Sequence, residues 1–159
     1  MTDDDKKFLQ IAIDLSKDFA ARGGFPVGAI IVRNSEILSQ GVSDGKRHND
    51  STWHAETDAI RKLCSELKTR DLNGVTLYSS MEPCIMCYGA AYWAGIDRIV
   101  FAAGKEELDK MHYEGVADSI EVNTLLHRNR PIELIHDKEL EKAAMKVVHD
   151  YETSKGENG

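Results

Sequence analysis

At 159 residues, with 42% hydrophobic and 30% charged residues, the chain has the composition of one globular domain with room for a sizeable core. A formal net charge of −7 argues against nucleic acid as the main partner, because polyanion binders usually present a basic face. The acidic start has no apolar signal-peptide stretch, and runs such as Val27 to Val32 are far too short to span a bilayer. Three cysteines, two of them spaced C-x-x-C, point to a reducing, cytoplasmic setting and not to a disulfide framework.

Phe8, Ile11, Ala12, Leu15 and Phe19 recur at helical spacing, so a first helix is expected from Asp3 to Ala21, ended by Gly23 and Gly24. Pro26 to Arg33 and Glu36 to Ser43 are β-rich and straddle Asn34-Ser35, which reads as a hairpin. Gly45 to Thr52 reads as a polar loop. His54 to Leu67 is helical, with Ala55, Ala59, Leu63 and Leu67 on one face. Gly74 to Ser80 is a buried strand, and Pro83 is expected to open a helix reaching Ala94. Asp97 to Ala103 is another strand, Lys105 to Arg130 a mixture of short helices and loop, Pro131 to Asp137 a last strand and Lys138 to Thr153 a last helix. This is the pattern of a single α/β domain over residues 1–153, with a disordered tail at 154–159.

The chemistry concentrates in two short motifs. His54-Ala55-Glu56 stands at the start of one helix, and Pro83-Cys84-Ile85-Met86-Cys87 at the start of another. Residues three apart on a helix share a face, so both sulfurs can point at one ion. The positive end of that helix favours thiolates. One imidazole and two thiolates can hold a zinc ion and leave a fourth position open, which is the habit of catalytic and not structural zinc. Glu56 is not needed as a ligand and is free to move protons. A C-x-x-C pair also occurs in redox enzymes and as half of a closed structural site. The first favours a thioredoxin-like context, and the second needs a fourth ligand that no other cysteine is placed to give. Cys64 falls on the apolar face of its helix and reads as a buried thiol.

The resemblance goes beyond spacing. His-x-Glu followed by Pro-Cys-x-x-Cys is similar to the signature of the zinc deaminases. Together with Pro26-Val27-Gly28-Ala29-Ile30-Ile31-Val32 and Glu82-Pro83-Cys84-Ile85-Met86-Cys87-Tyr88-Gly89-Ala90, it looks like the cytidine-deaminase-like superfamily. Within it the chain resembles the branch of guanine deaminases, fungal-type cytosine deaminases and tRNA adenosine deaminases. The resemblance implies a three-layer α/β/α sandwich with a central five-stranded mixed sheet, commonly dimeric. It also implies one zinc per chain on His54, Cys84 and Cys87, with Glu56 as proton shuttle.

Three features point to the guanine deaminases. Ala91-Tyr92-Trp93-Ala94 is similar to a tyrosine-tryptophan pair of that branch. Gly115-Val116-Ala117-Asp118-Ser119 looks like a later segment whose aspartate assists at the substrate, which implies a catalytic role for Asp118. The acidic balance does not suit tRNA. There are departures. Ser43 stands where the branch has a base-binding asparagine, Trp53 where a small residue precedes the histidine, and Val27 where a stacking aromatic is expected, with Phe25 nearby. Phe25, Ser43, Trp53 and Trp93 are therefore the expected substrate contacts. Each also has a structural reading: core packing for Trp93, a strand end for Ser43, and a helix N-cap for Asp118. Lys46-Arg47-His48 reads either as a phosphate patch or as a solvated loop, and the resemblance to the guanine branch, which often ends in an aromatic residue reaching an active site, implies that Tyr151 could take that place.

The expected activity is zinc-dependent hydrolytic deamination of a small heterocyclic base by a homodimer, guanine first. Cytosine, isocytosine, other aminopurines, pterins and aminotriazines are the alternatives. A tRNA-editing deaminase is the alternative of another class, and a zinc-stabilised interaction domain without activity is the non-enzymatic one.

Overall fold

A computed structural model describes residues 1–108, 122–124 and 131–156. Five strands form one sheet in the order β2-β1-β3-β4-β5. They are β1 (Phe25–Arg33), β2 (Glu36–Ser43), β3 (Thr76–Met81), β4 (Arg98–Ala103) and β5 (Glu133–His136). The β1–β2 and β1–β3 pairs are antiparallel, whereas β3–β4 and β4–β5 are parallel. The sheet is mixed and flanked by helices, the cytidine-deaminase-like α/β arrangement expected from the resemblance.

The helices α1 (Asp3–Ala21) and α5 (Glu141–Gly156) pack together against one side of the sheet, and α3 (Ala55–Leu67) rides on β2 and β1 with α4 (Ile85–Trp93) beside it. Helix α1 is well defined at its start: the Asp5 N–H donates to Thr2 Oγ1 (3.2 Å) and the Thr2 N–H returns to Asp5 Oδ2 (2.7 Å). Three aspartates in its first turn suit the positive end of the helix dipole. Its apolar stripe, Phe8, Leu9, Ala12, Ile13 and Phe19, is buried on the sheet.

Two glycines let the helices come this close. A Cβ on Gly28 would lie 2.6 Å from the Ala12 carbonyl of α1, and one on Gly41 would lie 2.0 Å from the Ala55 carbonyl of α3. Gly41 thus fixes how near α3, and the residues at its start, sit to β2. The strands read as expected except at their ends. Strand β5 starts at Glu133 because Asn123 takes both backbone groups of Ile132, accepting its N–H (3.0 Å) and donating to its carbonyl (2.8 Å).

Other boundaries differ from the expectation too. The Gly45–Thr52 segment contains a one-turn helix, α2 (Gly45–His48), ended by Asn49 in the left-handed region (φ 50°). Its lack of apolar periodicity hid it. Helix α4 does not begin at Pro83: Cys84 is its N-cap in extended conformation, and the helix starts at Ile85. Helix α5 starts later than expected, because Asp137 Oδ1 holds the N–H groups of Glu139 and Leu140 in a turn (2.9 and 3.1 Å), and it continues through Ser154 to Gly156. Cys64 is half-buried and packs at the edge of the core. Among the described residues, no helix is long and apolar enough to cross a membrane.

One ionic hub joins α1 to the centre of the sheet. Asp5, 3% exposed, accepts two bonds from the Arg98 guanidinium (2.7 and 2.9 Å) and one from the Tyr78 hydroxyl (2.8 Å). Arg98 holds the Asp5 carboxyl well below the usual carboxylate range. The stabilisation is therefore complete above the unfolded value of about 3.9 and drains away as pH falls toward the folded one. Asp5→Asn should cost about 2–4 kcal/mol at neutral pH, and the gap from wild type should shrink in urea unfolding below about pH 4. Gly41→Ala should cost at least about 2 kcal/mol by the same measurement, because the clash is with the Ala55 carbonyl and the Ala59 nitrogen of the α3 backbone and not with a flexible side chain.

Candidate active site

The donors for a metal come from two helix starts that face each other beyond the end of β3. His54 is the N-cap residue of α3. Its backbone is fixed by an N–H bond to Thr57 Oγ1 (3.1 Å) and by its carbonyl accepting the Asp58 N–H (2.9 Å). Cys84 is the N-cap of α4, and Cys87 lies within that helix's first turn. The extended backbone at Cys84 follows directly from the end of β3 at Met81, so the strand delivers the thiol and the helix returns the second one to it.

His54 Nδ1 lies 3.5 Å from each sulfur, and the two sulfurs lie 3.5 Å apart. Zinc bonds of about 2.3 Å to sulfur and about 2.0–2.1 Å to nitrogen, at tetrahedral angles, require edges of about 3.6–3.8 Å. The triangle fits one zinc ion with little adjustment, and the set is the only group of three such donors among the described residues. Cys84 is pulled down to about 4, first by the bond from Cys87 and then by His54. The bond to Cys84 pushes Cys87 up, as do burial and the nearby Glu56. The pair thus shares one proton, and a divalent cation between the sulfurs would take its place.

Glu56 is one residue into α3 and 3% exposed, yet its side chain reaches the cavity beside the donors. Burial raises its carboxyl above the usual range. Ser79 Oγ donates to its Oε1 (2.8 Å). Asp58, two residues on and 1% exposed, takes the Val42 N–H (3.2 Å) and Lys62 Nζ (2.7 Å), which locks α3 to the end of β2.

The cavity has a volume of about 1000 Å³. Phe25, Ser43 and Trp53 line it together with His54, Glu56 and Cys84. Trp53 is held flat between His48, stacked at 3.7 Å, and the Arg61 guanidinium, 4.1 Å from its ring centre. Tyr151 reaches the cavity from α5, its ring edge-on to Phe25 at 5.8 Å, and Lys155 lies over Tyr151. Trp93 does not join them. It is 84% exposed on the outer face of α4, because it falls on the side of that helix turned away from the sheet. Core packing does not explain it either. Asp118 lies outside the described residues. Sequence reasoning missed Asp44 and Glu82, which also line the cavity, and Ser79 behind Glu56. The signal for Ser79 was a serine pair inside an otherwise apolar strand.

The fold and the donor triangle together define a zinc-dependent deaminase. The chain belongs to the family described as the cytidine and deoxycytidylate deaminase zinc-binding region, whose model matches residues 2–103. It is 43% identical over 110 residues to a tRNA-specific adenosine deaminase of Buchnera aphidicola, covering 69% of this chain and 68% of that one. It is 42% identical over 97 residues to a guanine deaminase of Bacillus subtilis, covering 60% of this chain and 62% of that one. The fold is that of a solved guanine deaminase from Nitrosomonas europaea, with a TM-score of 0.79 at 23% identity, over 91% of this chain and 82% of that one.

Cys84→Ala should remove zinc, measured by atomic absorption on the purified protein, and should lower thermal stability as well. A variant that keeps its full zinc would show that the metal is held elsewhere.

Proposed function

We propose that the protein hydrolyses the exocyclic amine of a free amino-substituted heterocycle, with guanine as first substrate, giving the ring carbonyl and ammonia. The observation that carries this reading is Glu56, a buried carboxylate that ligates nothing yet opens on the cavity next to the metal donors. A structural zinc has no use for such a group. His54, Cys84 and Cys87 would hold the zinc, which would supply the Lewis acidity that brings the pKa of water from about 15.7 toward roughly 7. Glu56 takes one proton from the attacking water and passes it to a ring nitrogen, then takes the second from the added hydroxyl and delivers it to the departing amine. Water adds, the C–N bond breaks, and the oxygen stays on the ring.

Three observations support a small planar substrate. Phe25, Tyr151 and Trp53 line the cavity with aromatic side chains, which suit a free base. The net charge is −7. A 42% identical relative is a guanine deaminase. In this reading Ser43 contacts the base, and Asp118 accepts hydrogen bonds from its amino and ring N–H groups. The outer face of α4, with Trp93 84% and Ile85 39% exposed, supports a homodimer.

A second reading is favoured by the 43% identical relative, a tRNA-specific adenosine deaminase, and by Lys46, Arg47 and Lys155 on the cavity wall. Cations there suit the phosphates of a flipped nucleotide. An ammonia-release assay separates the two. Guanine, cytosine, isocytosine, aminopurines, pterins and aminotriazines are tested beside tRNA, with tRNA affinity measured against salt. Turnover of a free base without RNA affinity is the expected result; inosine formation in tRNA with no free base turned over would replace the first reading by the second. Glu56→Ala should retain zinc and fold while its rate falls by about 10²–10⁴, the usual worth of a positioned acid–base group.

A further inference from the structure

Strand β3 is buried from Leu77 to Met81, and two of those residues are serines. A buried hydroxyl is costly unless it is bonded, and valine would pack and pair better at such positions. Ser80 is explained by the frame: its Oγ accepts the Gly28 N–H (3.1 Å) and ties β3 to β1. Ser79, 0% exposed, bonds no part of the frame in this way. Its hydroxyl reaches across to α3 and donates to Glu56 Oε1 at 2.8 Å. Its backbone is held on both sides, opposite Ala29 on β1 and Phe101 on β4, so the hydroxyl has a fixed origin in the middle of the sheet.

The carboxylate it meets also takes a bond from the backbone N–H at Glu56 and meets the Cys87 thiol, so Ser79 is one of three groups that bear on its orientation. The last torsion of a glutamate is broad, so packing alone does not fix which oxygen faces a substrate. A group that must first take a proton and then return it works best if one oxygen stays in reach throughout.

We propose that Ser79 is a positioning residue for Glu56: it occupies Oε1 and leaves Oε2 as the oxygen that carries protons at the cavity. The inference rests on the proton-shuttle reading of Glu56. It concerns a residue that touches neither substrate nor metal.

The test uses zinc-loaded full-length protein with guanine as first probe, or whichever base the wild type turns over fastest. Ser79→Ala removes the donor, Ser79→Cys keeps the shape with a weak donor, and Ser79→Thr keeps the hydroxyl at the expense of one added methyl. Loss of a hydrogen bond to a charged group predicts a kcat about ten- to a hundredfold lower in the alanine and cysteine variants. KM, zinc content and Tm should stay near wild type, and the threonine variant should recover most of the rate. Crystal structures of the alanine variant should show the Glu56 carboxylate rotated or in two positions. An unchanged kcat in a folded, zinc-loaded alanine variant overturns the proposal. So does a threonine variant as slow as alanine at equal Tm, or a Glu56 unmoved when the donor is gone. If the wild type deaminates no base, the proposed function fails by itself, and the crystallographic comparison still decides whether Ser79 sets the carboxylate.

Discussion

Everything about the site depends on two helix starts being held face to face. His54 and Cys84 are both N-cap residues in extended conformation, where the backbone is not yet committed to the helix and side chains can aim past its end. Cys87 is one turn into α4 and comes back to the same point. The resulting triangle has edges of 3.5 Å, which leaves a cation as the natural way to keep two sulfurs and a nitrogen so close. The sheet enforces the approach from below. Strand β3 runs into Cys84, and Gly41 on β2 lets α3 settle within backbone contact of the sheet.

The same construction explains why polar groups lie so deep around it. Glu56, Asp58, Ser79, Ser80 and Glu82 are all buried, and each has a defined use. Asp58 locks α3 to β2, Ser80 locks β3 to β1, Glu82 accepts the Lys105 N–H after β4, and Ser79 meets Glu56. Buried polar groups without partners would be costly. Here they are the means by which apolar layers keep one register relative to one another near the metal donors.

How much of this was legible in the chain follows from how local each feature is. The first helix and the hairpin were readable because apolar period and turn residues sit within the segment itself. The donor triad and Glu56 were readable because spacing within a helical turn is itself geometry. Phe25, Ser43 and Trp53 were placed at the cavity through their neighbours in sequence. Trp93 was not, since whether a helix turns a residue in or out depends on what packs beside that helix. Helix α2 was missed because four residues carry no period. Pro83 misled because a proline marks the neighbourhood of a helix start and not its first residue. Strand β5 starts late because of Asn123, a side chain nine places before the Ile132 it binds, which no strand pattern reveals. Tyr151 reaches Phe25 only through the docking of α5, a contact between the two ends of the domain.

That docking also divides the chamber between two parts of the chain. The donors for the ion all precede residue 88, whereas the aromatic and basic wall at Tyr151 and Lys155 belongs to the final helix. The donors and the far wall of the substrate chamber thus come from separate stretches of the chain and meet only in the folded domain.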